Sequence, residues 1–329
     1  MKSALIRLIT GQSFRQEYLC LASELRHPLK AYLLVSRDAD PLNVTATHLF
    51  VGYKPLIIAF VYEPGHQVDH TKVCLCFTPT SFESTKRWKG FHIDTGSVAN
   101  LLLTKKVTKQ FGSSVVVFYE GKFGRHHFLG RCNQVLGEIL LKFKKKAIGN
   151  VSLVGNLYDQ VRIAYAIPRK IALITIADGE LMNIFPTDLH GMINNNYYSS
   201  SLRISGEACK QVERIRRLVI SDVDRDQYQL VYDLGKNHMQ PMKPTSQFNL
   251  SNESSELFKF PLPAGTGSYK ELEVLETFDC GIHRIFIYKI VHEKTLTPLL
   301  PLFHIHNYYA QWRKNNNLSS EYLLRVQGA

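Results

Sequence analysis

The sequence lacks the short motifs by which many enzymes and metal sites are recognised. Its six cysteines are scattered and form no C-x-x-C pair, so no zinc or dithiol redox site is predicted and buried free thiols are expected. It has no P-loop, no G-x-G-x-x-G loop, no Ser/His/Asp triad and no carboxylate pair at a telling spacing. His304 and His306 lack a third ligand at a suitable spacing, so we predict no metal site.

Long apolar runs and targeting signals are also missing. The N-terminal apolar stretch is short and is broken by Arg7, and no small-residue cleavage site follows it. No later segment approaches the roughly 18 uninterrupted apolar residues that a membrane-spanning helix needs. We therefore expect a cytoplasmic protein that has no membrane partner.

An excess of positive charge is the main feature of the composition. The chain has 329 residues, 45% of them hydrophobic, which is enough for two domains or for one large domain with a real core. Its 40 Lys and Arg residues against 28 Asp and Glu residues give a net charge of +12. This charge suggests an anionic partner such as nucleic acid, a membrane surface or a phosphorylated small molecule, although a merely soluble basic surface explains it equally well. The lysine run at Lys142–Lys146 is more ordinary as a solvated strand end than as a nucleic-acid patch, because the aromatic interleaving typical of single-strand binding does not surround it.

Strand patterns dominate, so we predict a mainly β fold with helices, of the α+β class. Apolar and β-branched runs predict strands in the first half at 31–36, 43–51, 56–62, 73–77, 115–119 and 135–143. Helices are predicted at Phe14–Leu25, which follows a capping box, at Thr95–Lys109, where the apolar spacing is roughly helical, and from Ser205 to Arg217. Strands at 218–221, 272–278 and 283–291 and a short helix at 227–234 complete the pattern.

The stretch from Pro168 to Arg203 carries most of the functional hypothesis. Ile171–Ile176 predicts a strand, Asp178-Gly179 a tight turn and Leu181–Phe185 the returning strand of a hairpin. A polar loop follows, rich in asparagine, tyrosine and serine, and it ends at Arg203. Hydrogen-bonding side chains placed directly after a hairpin are suited to holding a polar ligand against a rigid sheet.

A similar pattern occurs earlier in the chain, which indicates an internal duplication. Pro28–Asn43 aligns without gaps with Pro168–Asn183, an offset of 140 positions, and five residue types agree across the turn and its flanks. A chance match between short apolar strands is the alternative. A duplication would let the halves pack as a pseudo-dimer with a ligand site between them. The first copy continues in apolar residues, so the second copy is expected to bind the ligand.

The second half resembles the flavin reductase-like proteins, whose split β-barrel binds FMN and usually forms a dimer. The resemblance covers about Pro168–Arg313 and rests on the order of several segments: ALITIADGELMNIFPTD, YYSSSLR, VERIRRLVISDVD, YDLGKNH, PLPAGTGSYKELEV, HRIFIYKIV and HIHNYYAQWR. It implies an FMN-binding split-barrel domain over residues 151–329. Through the repeat, it extends to a degenerate split-barrel-like domain over residues 1–150.

The resemblance also implies which residues hold the cofactor at the interface. Those expected at the phosphate are Ser199, Ser200, Ser201, Arg203 and Lys210. Those expected near the flavin ring or the nicotinamide are Asn183, Phe185, Thr187, Asp188, Lys236, Asn237, His238 and His283. A phosphate dianion needs several donors and a guanidinium, which agrees with the first group. Without the resemblance, the serines would form a polar turn and each histidine would be an ordinary, partly buried one.

The implied activity is hydride transfer between NAD(P)H and flavin or a flavin-linked acceptor. That chemistry belongs to the cofactor, so the missing acid and base motifs do not argue against it. The alternatives are a flavin-binding protein without turnover, and a degenerate barrel that binds another anion or serves as an interaction module. A homodimer or an intramolecular pseudo-dimer would supply the interface, and nucleic acid is not the expected partner.

Overall fold

The computed structural model describes residues 18–22, 24–36, 39–63, 70–80, 97–130, 133–135, 151, 153–318 and 320–323. Within these ranges strands far outnumber helices, so the α+β, mainly β class predicted from the sequence is confirmed. Most of the predicted strand at 135–143, the lysine run at 142–146 and Cys132 lie outside the described residues. None of the described helices has the length and apolar character needed to cross a bilayer.

A small four-stranded sheet brings distant parts of the chain together. Its strands are β1 (Tyr18–Leu21), β9 (Arg169–Lys170), β20 (Phe303–His306) and β21 (Tyr322–Leu323), in the order β21-β1-β20-β9. Helix α4 (Asn307–Asn315) follows β20, and its Tyr309 and Trp312 pack on Phe128. Segments from both sides of residue 150 therefore pack together in the first half.

A seven-stranded antiparallel sheet forms the first half. Its strands are β2 (Lys30–Leu34), β3 (Leu42–Asn43), β4 (His48–Tyr53), β5 (Leu56–Tyr62), β6 (Lys72–Thr78), β7 (Ala99–Phe111) and β8 (Ser114–His126). They lie in the order β3-β2-β6-β7-β8-β5-β4. Helix α1 (Asn156–Ala164), which follows the predicted domain boundary, packs on β8 of this sheet.

An eight-stranded antiparallel sheet forms the second half, in the order β12-β13-β19-β18-β14-β10-β11-β15. Its strands are β10 (Ala172–Asp178), β11 (Leu181–Thr187), β12 (His190–Asn194), β13 (Tyr197–Arg203), β14 (Arg217–Val223), β15 (Lys243–Pro244), β18 (Thr266–Cys280) and β19 (His283–Thr295). Helices α2 (Glu207–Ile215) and α3 (Tyr228–Asp233) flank β14, and β16 (Leu250–Ser254) pairs with β17 (Pro261–Pro263). Short 3-10 helices occupy Arg225–Gln227, Leu234–Met239 and Thr245–Gln247.

The two large sheets share one strand order. Read from its other edge, the first sheet is β4-β5-β8-β7-β6-β2-β3, which matches β12-β13-β19-β18-β14-β10-β11 strand for strand. Their long hairpins also share two bulges, which follow Leu102 and Lys105 in the first sheet and Glu271 and Val274 in the second. Both bulges are displaced by 169 positions, so the hairpins β7-β8 and β18-β19 correspond residue by residue.

The structure places the first strands of the two halves in a register that differs by one residue from the sequence repeat. Leu33 pairs with Leu75 and faces the core of the first half. Ile174 pairs with Ile220 and faces the core of the second half. The offset between β2 and β10 is therefore 141 rather than the predicted 140. A slip of one residue turns every side chain of a strand to its opposite face, so the two alignments are not equivalent.

Each half has its own apolar core, and a further apolar cluster joins them. Side chains alternate along β5, so Ile58 and Phe60 enter the first core while Ile57 and Ala59 face the second half. Strands β4, β5 and β8 pack in this way against β12, β13 and β19, and we call this interface the seam. At one end of it, Asn194 Nδ2 donates a hydrogen bond to Ser114 Oγ at 2.9 Å.

Two predicted helices are wrong, and a third has a different start. Tyr18–Leu21, within the predicted helix 14–25, forms β1 because pairing with β20 satisfies its backbone; residues 14–17 lie outside the described ranges. Residues 99–109 belong to β7, where Leu101 and Leu103 are buried and their neighbours are half-buried, a period of two. Helix α2 begins at Glu207 behind Gly206, and Ser205 does not cap it.

Candidate functional site

Four side chains from separate elements meet at one end of the seam. Arg203 ends β13, Tyr53 ends β4, His283 begins β19 and His238 lies in the 3-10 helix Leu234–Met239. Arg203 Nε donates a hydrogen bond to Tyr53 Oη at 2.9 Å. The Tyr53 ring packs edge-on against the His283 ring, with 4.4 Å between centroids. We call Tyr53, Arg203, His238 and His283 the seam cluster.

The charge of Arg203 acts on both histidines of the cluster. Burial, followed by the Arg203 charge, lowers the pKa of His283 to about 4. Burial also lowers the pKa of His238; the hydrogen bond from its Nδ1 to Gly235 O opposes this shift, and Arg203 adds to it. Both imidazoles are therefore neutral at pH 7. An anion bound beside them would raise the pKa of both.

His283 has hydrogen-bonding capacity that the protein does not use. The residue is 1% exposed, and among the described residues neither of its ring nitrogens has a hydrogen-bond partner. Leaving a buried polar group unpaired costs about 1–3 kcal/mol, so such groups usually mark a place for a ligand or an ordered water. The seam cluster therefore contains a buried polar side chain that a ligand could satisfy.

Helix α2 begins beside the cluster and adds a second source of positive potential. Its N-cap residue is Gly206, so no side chain caps the amides of its first turn. A Cβ on Gly206 would lie 3.1 Å from His238 O and 3.2 Å from Arg203 O, so the start of the helix fits closely between these two residues. A helix N-terminus next to a guanidinium is suited to binding an anion.

The three predicted serines lie behind Arg203 rather than on an open surface. Their exposed fractions are only 2% for Ser199, 1% for Ser200 and 3% for Ser201. Ser200 faces the core of the second half and shares a 2.8 Å hydrogen bond with Tyr288 Oη. Ser199 and Ser201 face the seam, where Ser201 Oγ donates to Val51 O and Ser199 Oγ has no partner among the described residues. The hydroxyls of Ser200 and Ser201 are therefore used in hydrogen bonds within the protein.

Three of the residues predicted near the flavin ring or the nicotinamide are used in internal packing and hydrogen bonding instead. Phe185 is buried in the core of the second half. Asn183 Nδ2 donates hydrogen bonds to Gln211 Oε1 at 2.8 Å and to Asn237 O at 3.1 Å, and Asn237 Nδ2 donates to Ile184 O at 3.0 Å. These bonds tie β11 to the 3-10 helix that carries His238, so Asn183 and Asn237 position the cluster without facing it.

Asp188 takes part in a partly buried ionic network next to the cluster. Its Oδ2 accepts hydrogen bonds from Tyr165 Oη and from His304 Nδ1, each at 2.8 Å. Burial favours neutral His304, but the Asp188 carboxylate and the adjacent Cys20 raise the pKa of His304 to about 10. Burial favours neutral Asp188, but His304 and Tyr165 hold the pKa of Asp188 below its usual range. Asp188 and His304 therefore form an ion pair at neutral pH.

The remaining predicted residues are not brought into the cluster. Thr187 Oγ1 accepts a hydrogen bond from Leu189 N at 3.3 Å, within its own turn. Lys210 forms a 2.6 Å ion pair with Glu207 on the outer face of α2, and its side chain is 63% exposed. Lys236 is exposed as well. Neither lysine is held in a fixed position from which it could close the site.

Sequence analysis missed Tyr53, Tyr165 and the role of His304. Tyr53 lies in the first half, which the sequence assigned no ligand contact, and Tyr165 precedes the stretch from Pro168 to Arg203. His304 was considered only as a metal ligand. The one available signal for Tyr53 was the repeat, because a pseudo-dimer places part of the first half at the ligand site of the second half.

The residues present suit the phosphate end of FMN better than its ring. A guanidinium, a helix start and two imidazoles meet at the seam cluster, which matches the donors that a phosphate requires. The slot expected from Asn183 and Phe185 is instead part of the packed second half. Burial raises the pKa of Tyr53, Arg203 lowers it and Asp188 raises it, so the Tyr53 hydroxyl lies near both charged groups.

No family model matches the sequence, and no curated protein matches it. Solved structures are similar to about half of the chain. The FMN-binding protein from Thermus thermophilus is 19% identical, with a TM-score of 0.37 over 46% of this chain and 82% of its own. The NADH:FAD oxidoreductase SgcE6 from Streptomyces globisporus C-1027 is 14% identical, with a TM-score of 0.40 over 46% of this chain and 92% of its own. The styrene monooxygenase flavin reductase from Pseudomonas putida S12 is 19% identical, with a TM-score of 0.36 over 44% of this chain and 91% of its own. At TM-scores below 0.5, these similarities carry no inference about the function of this chain.

Proposed function

We propose that the protein binds FMN at the seam, with the phosphate held by Arg203 and by the first-turn amides of α2. The meeting of Arg203, His238 and His283 carries this proposal, because the resemblance assigns all three to the cofactor although 80 positions separate the first from the last. A phosphate there would gain charge-assisted hydrogen bonds from the guanidinium and from the helix start. The unpaired ring nitrogens of His283 support a polar ligand at the same place.

In this proposal the seam corresponds to a subunit interface. In the family that the second half resembles, the flavin lies at that interface. In this proposal the two halves arose by duplication, and one chain supplies both sides of the site. The shared strand order and the two corresponding bulges support the duplication, because bulges are retained features of a fold. Tyr53 would then be the contribution of the first half to a site built mainly by the second.

When bound, the flavin would supply hydride chemistry, taking hydride from NAD(P)H or passing it to an acceptor. The chain would fix the phosphate with Arg203 and place His238 and His283 beside it. Asn183 and Asn237 would hold His238 in place from behind. Arg203 also orients the Tyr53 hydroxyl, which donates no proton to Arg203 and so keeps its own proton available for a ligand oxygen.

One observation favours the simpler alternative of an anion-binding module. Asn183 and Phe185 are used in internal packing, so the ring would need another apolar surface along the seam. A flavin-binding protein without turnover would use the same phosphate site as an enzyme. Two measurements therefore distinguish the enzyme, the flavin-binding protein without turnover and the anion-binding module: whether the isolated protein binds FMN, and whether NAD(P)H then bleaches the bound flavin.

Titration of the purified protein into FMN, followed by flavin fluorescence, tests the site. We expect Arg203→Ala to weaken FMN binding by about 1.5–3 kcal/mol, the usual range for a hydrogen bond to a charged group. Riboflavin lacks the phosphate, so its binding should be the same in wild type and variant. Arg214→Ala is the matched control, because Arg214 lies at the other end of α2, where its side chain is 60% exposed and pairs with Asp178.

The outcomes separate the site from the function. An unchanged FMN dissociation constant in Arg203→Ala would place the phosphate elsewhere while leaving flavin binding intact. A wild-type protein that binds neither FMN nor riboflavin would rule out both flavin functions. Binding of inorganic phosphate or pyrophosphate that depends on Arg203, without flavin binding, would establish the anion-binding module instead.

A further inference from the structure

A cavity of about 220 Å³ opens at the end of the second half, lined by residues of β9, β12, β13, β14 and β18. Its apolar wall includes Tyr198 and Ile220, which also belong to the core of the second half. Its rim carries Lys170, Asp222 and Lys270. None of these residues belongs to the seam cluster, so the cavity is separate from the proposed FMN phosphate site.

The corresponding end of the first half is filled by helix α1. A Cβ on Gly124 of β8 would lie 3.0 Å from both Gln160 Cγ and Ile163 Cδ1, so α1 rests directly on the strand there. Asn156 secures this contact, since its side-chain amide exchanges two 2.7 Å hydrogen bonds with the backbone of Gly124. The first half therefore has a helix in the place where the second half has a cavity.

The second half cannot accept a helix in the same way. Leu101 pairs with Gly124 in the first hairpin, and the corresponding pair in the second hairpin is Lys270 with Glu293. A glutamate thus replaces the glycine on which α1 rests, and it forms an ion pair with Lys270. The helix that follows the second sheet, α4, packs on Phe128 of the first half instead.

The lining of the cavity has also changed from apolar to charged. Phe77 pairs with Ala99 in the first sheet, and the corresponding pair in the second sheet is Asp222 with Ser268. Lys270 and Asp222 thus occupy positions that are Leu101 and Phe77 in the first half, where both are fully buried. Charged side chains at positions that would otherwise be core are costly unless they meet a partner or a ligand.

The rim leaves donors available for an anion. Lys170 Nζ pairs with Asp222 Oδ2 at 2.7 Å, and Lys270 pairs with Glu293, whose side chain is 61% exposed. An ammonium has three donors, so each lysine can bind a second oxygen. Burial lowers the pKa of His190, which also lines the cavity; its Nε2 donates to Lys170 O and its Nδ1 accepts from Tyr198 Oη. The histidine is therefore a neutral part of the wall and does not compete for the anion.

The geometry points to a second binding site in this cavity, for a small carboxylate with a flat apolar body. The carboxylate would meet Lys170 and Lys270 at the rim, and the apolar body would lie against Tyr198 and Ile220. At roughly 20 Å³ per heavy atom in a packed interior, the cavity holds a molecule of about ten heavy atoms, the size of a substituted benzoate. The site does not depend on flavin binding at the seam.

Calorimetric titration of the full chain with benzoate tests the site, and benzamide serves as the uncharged isostere. We expect benzoate to bind about tenfold or more tightly than benzamide, and Lys270→Met to remove that difference, because the lost interaction is a hydrogen bond to a charged group. Lys170→Met should have the same effect, which guards against a folding defect in one variant. Lys294→Met is the matched control, since Lys294 lies on β19, is 49% exposed and pairs with Glu256.

Each outcome bears on the cavity alone. Benzoate binding that is retained in Arg203→Ala and lost in both Lys170→Met and Lys270→Met would support the site, whatever the result with FMN. Equal binding of benzoate and benzamide, or unchanged benzoate binding in both lysine variants, would overturn it. Tighter binding of benzylamine than of benzoate would show that the cavity prefers a cation, which would pair with Asp222, and it would overturn the proposal of a carboxylate ligand. No measurable benzoate binding by the wild-type protein would also overturn it.

Discussion

Arg203 illustrates how one side chain can give the two similar halves different roles. Val61 in β5 corresponds to Ser201 in β13, because their strand partners Val116 and Ile285 are 169 positions apart. Two residues further along the same face, Glu63 corresponds to Arg203. A carboxylate therefore takes the place of the guanidinium in the first half. A phosphate would be repelled at one end of the seam and attracted at the other.

The Asp188–His304 pair is the residue-scale interaction with the clearest effect on stability. We expect Asp188→Asn to lower the free energy of unfolding by about 3 kcal/mol near pH 6, because it leaves a charged imidazole without its partner in a mostly buried site. Asp178→Asn is the control: the side chain of Asp178 is 54% exposed and pairs with exposed Arg214, so its loss should cost less than about 1 kcal/mol. Urea unfolding measures both.

The pH dependence of the same variant gives a second check. His304 has a pKa raised from 6.5 to about 10, so its stabilisation is complete below pH 6.5 and is lost as the pH rises through about 10. Asp188 has a lowered pKa, so its stabilisation is present above 3.8 and is lost as the pH falls below that value. The difference in the free energy of unfolding between wild type and Asp188→Asn should therefore be greatest between about pH 4 and 6.5, and it should shrink towards pH 10. A difference that stays constant from pH 6 to pH 10 would contradict the ion pair.

At the residue scale, sequence reasoning named three residues that the structure brings together, but it could not assign the faces of the strands beside them. Arg203, His238 and His283 come together as the resemblance suggests. Ser199 to Ser201 could not be assigned from the sequence, because consecutive residues of a strand point to opposite sides and only the partner sheet decides which side is open. Tyr53 could not be found from the second half alone, since it reaches the site across the seam.

At the scale of elements, pairing with distant strands decided what local patterns could not. The leucines of β7 are compatible with a helix over a short window, but its partners β6 and β8 hold it as a strand. β1 likewise exists because β20 and β21 lie beside it, about 300 positions away in the sequence. By contrast, the hairpin β10-β11 was predictable, because Asp178-Gly179 signals a turn locally; in the structure Asp178 still pairs with Leu181, so the two loop residues are Gly179 and Glu180.

Helix α1 provides a prediction at this scale. Gly124→Ala would place a methyl group 3.0 Å from Gln160 Cγ and 3.1 Å from Gln160 Cα, so the helix would have to move away from β8. We expect a loss of about 1–3 kcal/mol in the free energy of unfolding, the usual cost of overpacking. Gly130→Ala is the control, since a Cβ there has nothing within 4 Å. Equal stability of the two variants in urea unfolding would show that α1 does not rest on Gly124.

At the scale of the whole molecule, the seam makes the two halves interdependent. Its cluster combines Val51, Ile57 and Val116 of the first half with Ile193 and Ile285 of the second. The turns at its ends also interlock: Asn194 bonds to Ser114 at one end, and Ile282 N donates to Lys54 O at 3.1 Å at the other. The two ends differ in the side chains that a ligand would meet.

This difference predicts one FMN per chain rather than two. At the end of the seam that carries Arg203, the neighbouring strand begins with His283, whereas at the other end the corresponding residues are Glu63 and Ser114. The end of the seam with Glu63 and Ser114 therefore lacks both the guanidinium and the unpaired imidazole, and the Glu63 carboxylate there repels phosphate. Equilibrium dialysis with FMN at a known chain concentration should saturate at a ratio of one. Glu63→Gln should leave that ratio unchanged, because removing the repulsion does not restore the missing donors. Saturation at two FMN per chain would mean that the halves kept equivalent sites, and it would contradict the assignment of the phosphate to Arg203.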